Sequence, residues 1–170
     1  MSIASLLCSS VLALAMPRSE YACRHMDTLV KEATANDIEP EILIALIHEE
    51  SRWKPWAESK AGACGLTQVL PRYTKPRKKC KDLKKPRVSI SVGALALNYW
   101  VYEYADGDYL TGLCGYNGGY NCPTLLSSKA YARRIMRMAK RLTAEVESQR
   151  AYHILMESLR LQFNVSSPTK

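Results

Sequence analysis

The sequence predicts a mainly α-helical domain, and three observations lead to that prediction. Apolar residues recur every three or four positions in several long segments, which is the spacing of one face of a helix. No strong alternation of apolar and polar residues and no internal repeat is present. A chain of 170 residues, 47% hydrophobic and 24% charged, has enough apolar side chains for one packed core, perhaps with an appended element.

The first seventeen residues form an apolar N-terminal segment. Residues 3–15 are almost entirely apolar and end in Ala-Leu-Ala, which resembles the core and the cleavage site of a secretory signal peptide, although no Lys or Arg precedes them. The segment is too short for a comfortable transmembrane helix. Two alternatives therefore stay open: residues 1–17 are an export signal, or they form a helix that packs against another protein.

Two helices are predicted next. Residues 18–36 carry apolar side chains at roughly helical spacing. A second helix begins at Pro40, because proline in a first turn loses no hydrogen bond, and it runs to about Ser51. Since residues 42–47 are all apolar, this helix is expected to be buried on most sides.

Loops and shorter elements fill the middle of the chain. Residues 52–65 are typical of a loop, and a short helix is expected at 66–69. Residues 72–87 contain nine Lys or Arg and predict an exposed basic loop. From Val88 the spacing is nearer to a helix than to a strand. The glycine-rich segment 111–123 predicts turns.

A long helical pattern runs from Ser128 to about Phe163. Its part beyond residue 142 is an extension, followed by a polar tail. An apolar stripe on this extension either binds a partner chain or packs back on the domain. The stripe consists of Val146, Tyr152, Leu155, Leu159 and Phe163.

Composition narrows the range of partners. A formal net charge of +8 suggests a polyanion, such as nucleic acid, an anionic membrane or a cell-wall polymer, and the alternative is a basic protein without a particular target. The aromatic residues comprise ten Tyr and three Trp but only one Phe. Tyr and Trp combine an apolar face with a polar edge, which suits sugars and wet grooves.

The six cysteines favour disulfides in an oxidising compartment. None of their spacings is a Cys-x-x-Cys pair and only three His are present, so no metal site is predicted. Cys114 with Cys122 and Cys64 with Cys80 are plausible pairs. The sequence alone leaves the pairing open.

Glu49 and Glu50 end the most apolar helix of the chain. A carboxyl group in an apolar pocket has a raised pKa and can protonate the leaving oxygen of a glycosidic bond. Leu43 and Glu50 are seven residues apart on one stripe, so periodicity favours Glu50 over Glu49 as the buried carboxyl group. The alternative is a helix end at which both side chains are hydrated.

Four motifs in order resemble the soluble lytic transglycosylases, the goose-type lysozyme-like SLT domain family. The first, ESRWKPWAESKAGACGLTQVLP, contains the family's Glu-Ser, Ala-x-Ser, Gly-Ala-x-Gly-Leu-x-Gln and Pro at family spacing. ISVGALAL, LCGYNGG and YARRI follow. The resemblance covers about residues 25–142.

This resemblance implies a lysozyme-like helical fold with a substrate groove. Residues 18–142 would be the lytic transglycosylase domain, and 143–170 a C-terminal helical extension and tail. The implied reaction cleaves the β-1,4 bond between N-acetylmuramic acid and N-acetylglucosamine of peptidoglycan, and it leaves a 1,6-anhydromuramoyl end without consuming water. Glu50 would be the acid and then the base. No cofactor and no metal is implied.

The resemblance also implies substrate-binding residues. Ser59 and Gln68 would line the groove and orient the glycan or the catalytic carboxyl group. Tyr116 and Asn117 resemble the family pair near the catalytic glutamate, and the Tyr116 hydroxyl could bond Glu50. Tyr131 would line the same pocket. For each tyrosine the alternative is packing in the core.

Several biological settings fit this reading. The favoured one is a phage virion protein that opens the wall during genome delivery, and an exported bacterial enzyme or a secretion-system component is the alternative. A hydrolytic muramidase and a non-catalytic peptidoglycan-binding subunit are competing functions. The expected location is the periplasm, the cell envelope or a virion, not the cytoplasm. Peptidoglycan strands are the expected partner, protein partners would bind the N-terminal segment and the C-terminal helix, and no specific nucleic acid is expected.

Overall fold

The fold is built from helices, as predicted. The computed structural model describes the backbone of residues 1–165 and the side chains of residues 1–162. In that part of the chain there are eight α-helices and no sheet, only two isolated bridges that join Cys64 to Glu58 and to Val69. The helices are α1 (Ile3–Ala13), α2 (Ser19–Cys23), α3 (Met26–Ala35), α4 (Pro40–Ser51), α5 (Cys80–Leu83), α6 (Pro86–Asn98), α7 (Tyr109–Gly118) and α8 (Leu126–Val165).

Helix α4 lies at the centre of the core. Pro40 occupies its first turn, and residues 42–47 are all buried, as the unbroken apolar run predicted. α4 packs against α8 and α3. It ends at Arg52, whose backbone is left-handed with φ of 51°. This end positions Glu49 and Glu50.

Helix α8 packs on the domain as far as Val146 and extends beyond it. Its buried side chains up to Val146 pack in the core shared with α1, α4 and α7. Beyond Val146 the predicted stripe is exposed, with Tyr152 64% and Leu155 55% accessible. The part of the stripe beyond Val146 therefore does not pack back on the domain within the described side chains. The side chain of Phe163 and residues 166–170 of the tail lie outside the described part of the chain.

The N-terminal segment forms helix α1, which packs on the chain's own α2, α3 and α8. Leu7 and Val11 are completely buried, and Cys8 forms a disulfide with Cys23. The apolar face thus contributes to this chain's core. The removal of residues 1–15 as an export signal stays a prediction. A search of the described helices finds none that is both long and apolar enough to cross a membrane.

The other two disulfides are those that the sequence suggested. Cys64 bonds Cys80, and Cys114 bonds Cys122. The first joins the loop after α4 to the basic segment 72–87. The prediction that this whole segment is a loop was wrong in part. The segment contains the short helix α5, and α6 begins at Pro86.

The glycine-rich segment 111–123 is not a set of turns, and that prediction was wrong. Most of it belongs to α7 and to a 3₁₀-helix at Gly119–Thr124. A Cβ atom on Gly112 would lie 2.8 Å from Val101, and one on Gly115 would lie 2.5 Å from the Trp100 ring. These glycines allow α7 to pack closely against the π-helix at Tyr99–Tyr104.

Two further helix predictions were wrong. The helix predicted at 18–36 is divided into α2 and α3, with the break directly after the disulfide-bonded Cys23. The helix predicted at 66–69 is absent from the described structure. Gly65 and Gln68 have φ of 81° and 49°, and such left-handed residues stop a right-handed helix.

Candidate active site

Glu50 lies in the last turn of α4 and is partly buried. Burial raises the pKa of its carboxyl group to about 7, because the charged form loses hydration. A hydrogen bond from Tyr131 acts in the opposite direction, and the negative charge of Glu49 raises the pKa further. Glu50 can therefore hold or release a proton near neutral pH.

Tyr131 fixes the orientation of this carboxyl group. Its hydroxyl donates to Glu50 Oε1 at 2.5 Å from the second turn of α8. Burial, followed by the nearby Glu50, raises the pKa of Tyr131 well above its usual value, so the phenol stays a neutral donor. Oε2 of Glu50 forms no hydrogen bond with any described residue. This oxygen is therefore available to a ligand.

Tyr116 lies near Glu50 but does not bond it, contrary to the prediction. Its hydroxyl donates to the carbonyl oxygen of Thr67 at 2.7 Å. Because the segment around Thr67 is not helical, this carbonyl is free to accept. Burial, followed by the charge of Glu50, raises the pKa of Tyr116 well above its usual value. Tyr131 thus takes the role that the sequence analysis gave to Tyr116.

Gln68 and Ser59 hold the loop that follows α4. Gln68 Nε2 donates to the carbonyl oxygens of Ala57 at 3.1 Å and Gly65 at 2.8 Å. Ser59 Oγ accepts from the Ala63 N–H at 3.0 Å. Both side chains therefore determine the shape of the loop. Direct contact of either residue with a glycan stays a prediction.

The same loop is attached to α6 by buried polar contacts. Thr67 Oγ1 donates to the carbonyl oxygen of Ser89 at 2.9 Å, and Ser89 Oγ accepts from the Thr67 N–H at 3.2 Å. Gly65 has φ of 81°, and a Cβ atom there would lie 1.9 Å from the Leu83 carbonyl oxygen. Only glycine fits that position. The bonds to Ser89 keep Thr67 in place beside Tyr116.

Asn117 connects the end of α7 to the beginning of α8. Its Oδ1 accepts from Ser128 Oγ at 2.8 Å, while the residue itself is exposed. Ser128 lies three residues before Tyr131, so this bond helps to fix the turn of α8 that carries the phenol. A role of Asn117 in binding sugar stays a prediction.

The Glu49 carboxylate forms an ion pair with Arg134. Arg134 Nε and Nη2 both lie 2.8 Å from Glu49 Oε1, and the Glu49 side chain is only 18% exposed. Glu49 is thus a supporting charge rather than a second free carboxylate. Sequence reasoning missed Arg134, because this ion pair joins residues 85 positions apart and depends on how α8 packs against α4.

One group of possible metal-binding side chains is excluded by its chemistry. Glu58, Cys64 and Cys80 lie close together among the described residues. The two sulfurs are joined in a disulfide, and a disulfide offers no thiolate for a metal ion.

Sequence comparison finds relatives for the part of the chain that contains the site. The family described as "Transglycosylase SLT domain" matches residues 27–138. A Haemophilus influenzae protein named "Putative soluble lytic murein transglycosylase" is 33% identical over 93 residues, which are 50% of this chain and 16% of that protein. The chain thus spans only a small part of this relative's length.

Solved structures share the fold. The 70 kDa soluble lytic transglycosylase of Escherichia coli matches with a TM-score of 0.63 and 19% identity, over 68% of this chain and 23% of that one. An inactive mutant of the lytic transglycosylase Slt of Pseudomonas aeruginosa matches with a TM-score of 0.67 and 17% identity, over 83% and 30%. Because the family match covers more than half of its residues, the chain belongs to the transglycosylase SLT domain family.

Proposed function

We propose that the protein is a peptidoglycan lytic transglycosylase with Glu50 as its single acid and base. The observation that carries this proposal is the Glu50 carboxyl group, partly buried with a pKa of about 7 and oriented by Tyr131. The family and the names of the relatives support the substrate class. One matched structure is a complex of the 70-kDa soluble lytic transglycosylase with bulgecin A, so a member of this fold binds that ligand.

The proposed reaction uses both protonation states of Glu50. Protonated Oε2 donates to the glycosidic oxygen as the bond from that oxygen to C1 of the muramoyl unit breaks. The carboxylate then takes the proton from the C6 hydroxyl, whose oxygen bonds C1 and closes the 1,6-anhydro ring. A pKa near the working pH suits a group that is acid and then base.

This route fits the carboxylates at the site better than hydrolysis. An inverting glycosidase needs a second carboxylate about 6.5–9.5 Å away to activate water. Glu49 is the carboxylate beside Glu50 in sequence, and Arg134 holds it in an ion pair. In the transglycosylase reaction the substrate's own hydroxyl is the nucleophile, so no second carboxylate is needed.

Product analysis tests the proposal. Purified peptidoglycan is digested with the protein, and the released fragments are analysed by mass spectrometry. Anhydromuramoyl ends are expected. Reducing ends would instead indicate a muramidase on the same fold, and no release by the wild-type protein would indicate a non-catalytic binding subunit.

We place this activity at the cell envelope or in a virion, with a phage virion protein as the favoured setting and an exported or secretion-system enzyme as the alternative. Three disulfides fit an oxidising compartment. The exposed stripe on α8 with Tyr152 and Leu155 supports a protein partner. Detection of the chain in purified virions rather than in a periplasmic fraction would distinguish the settings.

A further inference from the structure

A basic pocket of about 240 Å³ lies between α4 and α8. It includes Glu49, the residue before Glu50, and Arg134, one turn of α8 after Tyr131. We call it the arginine pocket. Its polar lining consists of Arg52, Arg134, Arg137, Arg141, His48 and Glu49.

The charges of the arginine pocket do not balance. Glu49 pairs with Arg134, but Arg52, Arg137 and Arg141 form no ion pair with any described carboxylate. The pocket therefore has three unmatched guanidinium groups around a single cavity. Guanidinium groups bind carboxylates through paired N–H donors, so the pocket is complementary to an anion of that shape.

Part of the pocket is already fixed in position. Arg52 Nη1 donates to His48 Nε2 at 2.6 Å. Since a guanidinium has only donors, this His48 nitrogen must be the unprotonated one and Nδ1 must carry the hydrogen. Burial, followed by the positive Arg52, lowers the pKa of His48, which keeps the ring neutral. His48 is only 5% exposed, and its Nδ1 has no partner among the described residues.

A group attached to the proposed substrate is long enough to span the distance along α8 from Tyr131 to the pocket. A muramoyl unit positioned at Glu50 carries a short peptide on its lactyl group, and this peptide has free carboxylates. Along α8, Arg137 lies about 9 Å and Arg141 about 15 Å beyond Tyr131, at about 1.5 Å per residue. An extended peptide covers these distances with roughly three to five residues, at about 3.3–3.6 Å each.

We propose that the arginine pocket binds a free carboxylate of the stem peptide carried by the muramoyl unit at Glu50. This inference rests on the proposed function and extends it to the peptide part of the substrate. Arg137 and Arg141 supply unmatched guanidinium groups, while Arg52 and Arg134 are held in place by His48 and Glu49. The protein would then prefer peptide-bearing glycan over bare glycan.

A binding experiment on a catalytically blocked protein tests this inference. Glu50→Gln protein is titrated with a GlcNAc–MurNAc oligosaccharide that carries stem tetrapeptides and with the same oligosaccharide without peptide. The peptide should strengthen binding about tenfold or more, as charge-assisted hydrogen bonds do. Adding Arg137→Gln and Arg141→Gln should remove most of that gain and leave the affinity for bare glycan unchanged.

A matched control separates a specific site from general charge. Arg133→Gln with Lys140→Gln removes two positive charges from exposed positions of the same helix that do not line the pocket. This pair should retain the preference for peptide. An equal loss in both pairs, equal affinity for the two oligosaccharides, or equally effective competition by inorganic phosphate and free tetrapeptide would overturn the inference.

Digestion by proteins with an intact Glu50 distinguishes this inference from the proposed function. If the wild-type protein cleaves neither peptide-bearing nor bare glycan, the proposed function fails. If it cleaves both at the same rate, and the Arg137/Arg141 double variant does so too, only the peptide inference fails. A faster wild-type reaction on peptide-bearing glycan, lost in the double variant, supports both.

Discussion

The Tyr131 hydroxyl donates to Glu50 Oε1 at 2.5 Å across 81 positions of sequence. This bond joins the end of the central helix to the helix that covers it. It selects which carboxyl oxygen is free, and it partly offsets the effect of burial on the pKa of Glu50.

Tyr131→Phe should lower kcat about 10–100-fold, because the carboxyl group loses its fixed orientation. The hydrogen bond favours the ionised form, so its loss should also move the pKa of Glu50 upward. A pH–rate profile of kcat/KM measures both effects. The basic limb should move to higher pH, and an unchanged profile would show that Tyr131 only packs.

The wild-type enzyme should lose activity as the pH rises through about 7. Glu50 must start protonated, and its pKa of about 7 determines where that form disappears. The basic limb of kcat/KM against pH, measured on soluble glycan fragments, tests this. A limb centred near pH 4.5 would mean that burial does not perturb Glu50.

The same pKa predicts an effect on stability. The folded pKa is raised from 4.5 to about 7, so the contribution of Glu50 is fully present below pH 4.5 and is lost as the pH rises through 7. The loss is at most about 3 kcal/mol, and less with solvent screening. Glu50→Gln should therefore raise Tm relative to the wild type at pH 8.5, by more than at pH 4. Equal Tm differences at the two pH values would argue against a raised pKa.

Gly65→Ala should strongly destabilise the loop after α4. The new Cβ would lie 1.9 Å from the Leu83 carbonyl oxygen at a φ of 81°, so the cost should be about 3 kcal/mol or more. Gly62→Ala is the matched control, since φ there is 84° with no atom within 4 Å of the new Cβ. It should cost about 1 kcal/mol. Urea unfolding of both variants gives the comparison, and equal costs would refute the close contact.

Features encoded locally could be predicted from the sequence. The buried run 42–47 and Pro40 were sufficient to place α4, and helical spacing together with the motifs favoured Glu50 over Glu49. The helical class followed from the same periodicity. Cys64–Cys80 and Cys114–Cys122 were among the plausible pairs, although the sequence left the pairing open.

Features that depend on contacts between distant segments could not be predicted. Glycines at 112 and 115 look like turn residues until Trp100 and Val101 are found against them. Tyr116 and Tyr131 both resemble site residues, and only the crossing of α8 over α4 decides that Tyr131 bonds Glu50. The Glu49–Arg134 pair depends on that same crossing.

The central claim is that Glu50, and not Glu49, is the acid and base of a lytic transglycosylase. The most direct measurement is the rate at which 1,6-anhydromuramoyl ends appear when the wild type, Glu50→Gln and Glu49→Gln digest the same peptidoglycan. The wild type should produce these ends, Glu50→Gln should lose at least about 10³-fold in rate, and Glu49→Gln should keep most of the activity. Full activity in Glu50→Gln, or loss confined to Glu49→Gln, would contradict the assignment.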